Sequence, residues 1–288
     1  MNWLEAIVLG VVQGLTEFLP ISSSAHQLLV GRIFFGNDGG GAAFTAINQL
    51  GTEAAVLVYF WKDIVHIVKQ WFGSLTGKVE KNDPDARMGW LVIIGTIPIA
   101  LLGILFKDAI EGTLRNLWIT ATMLLVFALV IMVADIQSDK RLENKQTEKD
   151  LEHLSWADGL KFGLFQALAL IPGVSRSGGT IAGGLFMGYS RPAATRYAFL
   201  LAIPAVLASG ALQVVEVASA GKDADSGSWG MIGLATVIAF GVGYAVISWL
   251  MKYISTHNFR PFVLYRIGLA LVIYVLLATG VVDAAVHA

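Results

Sequence analysis

Within ten residues, the stretch EFLPISSSAH sets a carboxylate (Glu17), three hydroxyls (Ser22, Ser23, Ser24) and an imidazole (His26) side by side. Side chains of these types move protons and attack electrophiles. Gln13 precedes Glu17 by four residues, so on a helix the two share a face. Ser22 or Ser23 suits the N-cap of a following helix, on which Ser23 and His26 are three apart and share a face. A second stretch, PGVSRSGGT, gathers Ser175, Arg176, Ser177 and Thr180 around another helix start, with Gly173, Gly178 and Gly179 allowing close backbone approach. A helix N-terminus offers unpaired N–H groups and partial positive charge. Two such termini meeting, with the planar fork of Arg176, suit a phosphate group. Glu17 would repel that anion unless it is protonated or holds a cation. A hard divalent ion, Mg²⁺ or Ca²⁺, is the natural mediator.

Serines near a proline also cap helices with no further role, so the serines weigh less than Glu17, His26 and Arg176. Ionisable groups in apolar surroundings are costly and mostly functional. Glu53 lies in NQLGTEAAV, where with Asn48, Gln49 and Thr52 it forms one polar helix face. It either supports the site or neutralises a basic partner. His66, His153, His257 and His287 fall in or near loops or at the terminus and suggest no chemistry. Tyr265 and Arg266 open the last apolar run and are expected to anchor it at the membrane interface.

The elements that must position these groups are apolar. The chain has 288 residues, 56% hydrophobic and 14% charged, with a mean hydropathy of +0.67. Runs such as WLVIIGTIPIALLGILF are about long enough to cross a hydrocarbon core of roughly 30 Å as helices. Barrel strands would alternate with period two, and these runs do not. The expectation is an all-α integral membrane protein, one membrane domain over 1–288. A net charge of -1 argues against nucleic acid as a partner. With no cysteine there is no disulfide or thiolate metal site, and no cleaved signal peptide is expected.

Six transmembrane helices are expected, at 44–62, 88–106, 117–136, 192–217, 230–251 and 261–282. The segments around Pro20 and Pro172 break midway and read as two re-entrant helix pairs. Each carries a Gln (Gln13, Gln166), then a proline, then serines, about half the chain apart, and each is followed by three spans. Three spans is an odd number, so the halves must enter with opposite orientation. This is an inverted-topology repeat, with repeat 1 at 1–137, a linker at 138–157 and repeat 2 at 158–288. Lys62, Lys69, Lys78, Lys81 and Arg87 follow the first span. Lys140, Arg141, Lys145, Lys149 and Lys161 follow the third, and Lys252 and Arg260 flank the loop after the fifth. The alternate loops hold only Lys107, Arg115 and Lys222, with Arg32 near the first one. The positive-inside rule puts the rich loops in the cytoplasm and both termini outside. The two elbows then meet near the membrane centre. The 138–152 loop is read as a solvated cytoplasmic linker and 221–228 as a short outer loop.

QGLTEFLPISSSAH and PGVSRSGGT resemble the two signature motifs of the bacterial undecaprenyl-diphosphate phosphatase family, also called bacitracin resistance proteins. The resemblance covers essentially the whole chain, including QLG at 49–51. It implies hydrolysis of a polyprenyl diphosphate to the monophosphate, recycling the carrier for cell-wall polymers, and resistance to bacitracin. It implies a multi-pass protein of the bacterial cytoplasmic membrane, an active site facing the outer side, and a divalent cation. A homodimer is a candidate assembly. Residue by residue, it makes Glu17 the acid of the first motif, with Gln13 at the partner position where the family has Glu or Gln. Ser23, His26 and Arg176 match participants in catalysis. Ser22, Ser24, Gly173, Ser175, Ser177, Gly178 and Thr180 become candidate substrate-binding residues, and Glu17 and Gln13 candidate metal ligands. Glu53 and Gln49 are candidate supports. Ala25 stands where many members have Gly, and Gly179 where Ala is common. Gln13 carries no charge, and Glu53 replaces a common apolar residue, so Glu53 could supply the missing charge.

Three nucleophiles are open: Ser23 with His26 as base, His26 itself, or water activated by His26 or Glu17. Ser23 is favoured slightly for its spacing from His26. A rival class is a transporter or flippase of polyprenyl phosphate lipids, because broken helices in inverted repeats also serve anion carriers. A carrier needs the arginine and the helix ends but no nucleophile–base pair.

Overall fold

Local capping starts the helices where the sequence turns from polar to apolar. In α1 (Trp3–Thr16), the Asn2 side chain accepts from the Glu5 N–H while the Glu5 carboxylate accepts from the Asn2 N–H, a reciprocal capping box. In α5 (Pro84–Leu105), Asp83 caps the first turn and Pro84 supplies a pre-set φ. The computed structural model describes residues 1–80, 83–219 and 229–285. Lys81, Lys222, His287 and the loop expected at 221–228 lie outside the described residues.

In chain order, α1 turns at an elbow into α2 (Ser23–Val30), followed by a π-helical turn at Gly31–Phe35. Next come α3 (Gly41–Tyr59), α4 (Trp61–Leu75), α5, the short α6 (Lys107–Glu111) and α7 (Leu117–Glu143). The second half opens with α8 (Trp156–Ala167) and a second elbow into α9 (Arg176–Phe186). It ends with α10 (Arg191–Ser219), α11 (Trp229–Tyr253) and α12 (Arg260–Ala278). Among the described residues, α5, α7, α10, α11 and α12 are long and apolar enough to cross a membrane. Their outer surfaces expose Ile104, Leu105, Val237 and Leu264, the pattern of a lipid-facing wall. The protein is an all-helical integral membrane protein.

The sixth expected span is the 19-residue α3. Its polar face (Asn48, Thr52, Glu53) keeps it outside the apolar set and is buried against protein instead. Two expected loops are partly helical. Residues 61–75 form α4, with Lys62 and Lys69 set among exposed Trp61, Val68 and Phe72. That mixture of cations and large apolar groups is the composition of a helix lying in a membrane interface. The expected linker at 138–157 begins inside α7, which runs on to Glu143. The rest is pinned by Lys149, whose N–H donates to Gly188 O and whose carbonyl accepts from Ser190 N.

The two halves share residue-level detail. A shift of 153 positions carries Trp3 onto Trp156, Gly10 onto Gly163, Gln13 onto Gln166, Ser22 onto Ser175 and Ser23 onto Arg176. Packing is reciprocal: α1 of the first half lies on α11 of the second, and α8 of the second lies on α5 of the first. Both crossings use the shifted glycine. A Cβ at Gly10 would sit 2.6 Å from Ala235 O, and one at Gly163 would sit 2.3 Å from Gly95 O. Small residues let backbones approach this closely where lipid offers no hydrophobic drive between helices.

Candidate active site

Each elbow ends on a serine in an unusual conformation. Ser22 and Ser175 both have φ 73°, in the left-handed region that favours glycine. Such a residue costs on the order of 1–3 kcal/mol and persists only where the surroundings over-determine it. Both serines cap the returning helix, Ser22 Oγ accepting from Ala25 N and Ser175 Oγ from Gly178 N. Each also pairs its hydroxyl with the serine two residues on, Ser24 or Ser177, at 3.1 Å. The equivalent first-turn positions then carry different chemistry: Ser23 in one elbow, Arg176 in the other.

Those two residues converge on Glu17. Arg176 Nη2 lies 2.5 Å from Glu17 Oε1, an ion pair bridging the two elbows. Glu17 Oε2 accepts from Ser23 Oγ at 2.6 Å and from Gln13 Nε2 at 2.7 Å. Ser177 Oγ ties the elbows again by donating to Leu19 O. Glu17 is buried, whereas the Arg176 side chain keeps some exposure. Glu53, on α3, is 2% exposed, with Oε2 4.0 Å from Arg176 Nη2 and Oε1 without a hydrogen-bond partner. Glu17, Glu53, Arg176 and Ser177 line a small cleft walled by Phe18, Val56, Ala198, Phe199 and Ala202.

His26 sits apart from this chain of bonds. Its Nδ1 is 2.7 Å from Ser22 O, and its Nε2 is 2.7 Å from Tyr265 Oη, the two rings stacked at 5.6 Å. The carbonyl can only accept, so Nδ1 carries the proton and Nε2 accepts from the tyrosine hydroxyl. No hydrogen bond joins Ser23 to His26, although they are three apart on one helix. The carboxylate across the elbow holds the serine, and the tyrosine holds the histidine. Thr180 Oγ1 bonds back to Arg176 O, and Gly173 contributes its carbonyl rather than an N–H. Gln49 makes no side-chain hydrogen bond to the cluster; only its carbonyl is used, by Thr52.

Arg266 is not an interface anchor, while the half-exposed Tyr265 turns its hydroxyl to His26. The Arg266 side chain is fully buried and donates to five carbonyls: Pro20, Gly173 and Val174 in the elbows, and Met123 and Leu124 on α7. It is the clasp that holds both turns at the same point. A signal was present in the sequence. Arg260 already opens α12, and Arg266 lies about 9 Å deeper along a helix, too deep to reach the interface by its own element. An ionisable residue that deep marks a site by default.

Fold and site together define a class: a polytopic helical membrane protein with a buried carboxylate–guanidinium centre where two broken helices meet. The chain belongs to the bacitracin resistance protein BacA family, whose model matches residues 6–272. It is similar to the undecaprenyl-diphosphatases of Pseudarthrobacter chlorophenolicus and Paenarthrobacter aurescens. Each is 58% identical over 286 residues, covering 99% of this chain and 100% of the relative. The undecaprenyl-diphosphatase 2 of Streptomyces coelicolor is 58% identical over 288 residues, covering 98% of this chain and 97% of the relative.

Proposed function

We propose that this protein hydrolyses undecaprenyl diphosphate to undecaprenyl phosphate and inorganic phosphate, and so confers resistance to bacitracin. The observation that carries the reading is the three-residue link Ser23–Glu17–Arg176 across the two elbows. It sets a hydroxyl, a base for its proton and an anion-binding fork within hydrogen-bond reach of one another. Near-identical length and 58% identity to proteins named for that activity support it.

In the mechanism that fits this geometry, the terminal phosphate takes the Arg176 guanidinium from Glu17. The freed carboxylate accepts the Ser23 proton as Ser23 Oγ forms a bond to the terminal phosphorus. The bond from phosphorus to the bridging oxygen breaks, and undecaprenyl phosphate leaves with the electron pair. Water then hydrolyses the phosphoserine, with Glu17 passing the proton back to Ser23. This assigns the base to Glu17 rather than to His26, because Glu17 is the group bonded to the serine. Tyr265 and Ser22 hold His26 in one tautomer at the edge of the site.

A divalent cation fits the donor set. Glu17 and Glu53 are hard oxygen donors, and one Glu53 oxygen is buried and unpartnered. Gln13 turns its N–H toward Glu17, and its Oε1 accepts from Gln27, so it orients the carboxylate. A bound cation would supply charge neutralisation for the diphosphate oxygens.

The membrane reading belongs to the same proposal. The elbows are re-entrant pairs, α3 is the sixth span, and the halves form an inverted repeat in the bacterial inner membrane. The reciprocal α1–α11 and α8–α5 packing supports this, and the site then opens to the outer side. The test is phosphate release from a polyprenyl diphosphate in detergent, with acid-stable phosphoserine trapped by quench. Wild type releases phosphate and the label maps to Ser23, while Arg176→Ala loses activity by 10²-fold or more. Release undiminished in Arg176→Ala, or in Ser23→Ala, overturns the assigned roles. No release under any cation favours a carrier, which has no use for a hydroxyl held on a carboxylate.

A further inference from the structure

The geometry points to Glu53 as the second carboxylate of the cation site, taking with Glu17 the place that Arg176 leaves when a diphosphate binds. The inference rests on the hydrolase reading above and deepens it by naming a ligand. Three observations carry it. First, Glu53 is a buried carboxylate on a helix that lines the same cleft as Glu17 and Arg176, inside apolar walls. Such a group is costly without a counter-charge. Second, its only cationic neighbour among the described residues is Arg176, at 4.0 Å, while that guanidinium is committed to Glu17 at 2.5 Å. Glu53 is therefore the weaker of the two carboxyl partners of that guanidinium. Third, Glu53 Oε1 accepts no hydrogen bond at all. Buried carboxylate oxygens are almost always satisfied, so an orphaned one is a free donor site for a cation.

The chemistry of the neighbours narrows the choice. Arg176 is the group suited to phosphate, and once its fork turns to that anion, Glu17 and Glu53 face one another with no cation between them. Two like charges in an apolar cleft are unfavourable by several-fold more than in water. A hard divalent ion held by one or two carboxylates and completed by phosphate oxygens is the usual form of such sites. Gln13 brings no charge, and its amide is held between Glu17 and Gln27. In this chain, then, a neutral residue on α1 is paired with an acid on α3, and the second carboxylate reaches the cleft from a different helix.

The experiment is Mn²⁺ binding followed by electron paramagnetic resonance, on the full-length protein in detergent, with and without methylenediphosphonate as a non-hydrolysable anion. Wild type binds one Mn²⁺, more tightly with the anion present. Glu53→Gln weakens that binding roughly tenfold or more, with an unchanged melting temperature. The swap Gln13→Glu with Glu53→Gln returns the carboxylate to α1 and recovers the affinity. Mn²⁺ bound by Glu53→Gln as by wild type, or no Mn²⁺ bound by wild type in either condition, overturns the inference. Phosphate release is assayed on the same preparations. Wild type that binds Mn²⁺ through Glu53 yet releases no phosphate sinks the hydrolase reading alone. Release with a Glu53-independent Mn²⁺ site sinks this inference alone.

Discussion

At the residue scale, the site turns on which acceptor each polar hydrogen finds. Spacing in sequence made Ser23 and His26 a plausible pair, because three residues on a helix share a face. Spacing along one helix says nothing of what crosses from another. Glu17 claims the Ser23 hydroxyl at 2.6 Å, and Tyr265, 239 residues away, claims His26 at 2.7 Å. The tyrosine hydroxyl therefore keeps Nε2 in the accepting state. Tyr265→Phe keeps the stacked ring and removes that one bond. A neutral hydrogen bond contributes about 1 kcal/mol, roughly a fivefold effect on rate. Phosphate release should fall roughly fivefold in kcat with KM little changed, and the ¹⁵N resonance of His26 Nε2 should move. An unmoved resonance, with kcat lowered or not, would leave Tyr265 a packing role only.

At the element scale, the elbows were legible and their neighbours less so. Proline and glycine after a short apolar run, followed by serine, announce a helix end followed by a cap, and both caps form. The helix α4 and the extension of α7 to Glu143 were not legible as helix. Their charges read as solvated loop, and a helix lying on a surface has the same composition as a loop lying there. The glycines in α1 and α8 carry a testable consequence. At Gly163 a Cβ would press 2.3 Å from Gly95 O, whereas at Gly241 it meets nothing within 4 Å. Gly163→Ala must part α8 from α5, at a cost of about 1–3 kcal/mol. Its melting temperature in detergent should drop, and Gly241→Ala should melt with wild type. Equal melting of the two would mean the α5–α8 crossing does not depend on backbone contact.

At the scale of the whole molecule, α7 is tied at both ends. Near its start, Arg32 donates to Asp38 and to Arg115 O, and Leu117 N donates to Ala284 O. Near its far end, Asp135 pairs with Arg191 at 2.7 Å and accepts from Phe259 N, while Asp139 takes Arg191 and Arg260. The proposed orientation puts the first cluster outside and the second in the cytoplasm. The chain has no cysteine, so single substitutions report sidedness directly. Thr113→Cys should react with a membrane-impermeant thiol reagent in intact cells, and Lys145→Cys only after permeabilisation. The reverse pattern would invert the topology and move the site's opening to the cytoplasm.

Amino-acid order alone is enough for the membrane class, the two broken segments, their internal likeness and the candidate charged groups. These are local properties: hydropathy, helix-breaking residues, capping chemistry and the spacing of residues within one element. Which of those groups touch follows from how the helices pack. Glu17 with Arg176, His26 with Tyr265, Glu53 with the cleft, and Arg266 with both elbows are all contacts between elements far apart in the chain. A side chain's partner across such distances is set by how helices cross, and composition and periodicity do not encode a crossing.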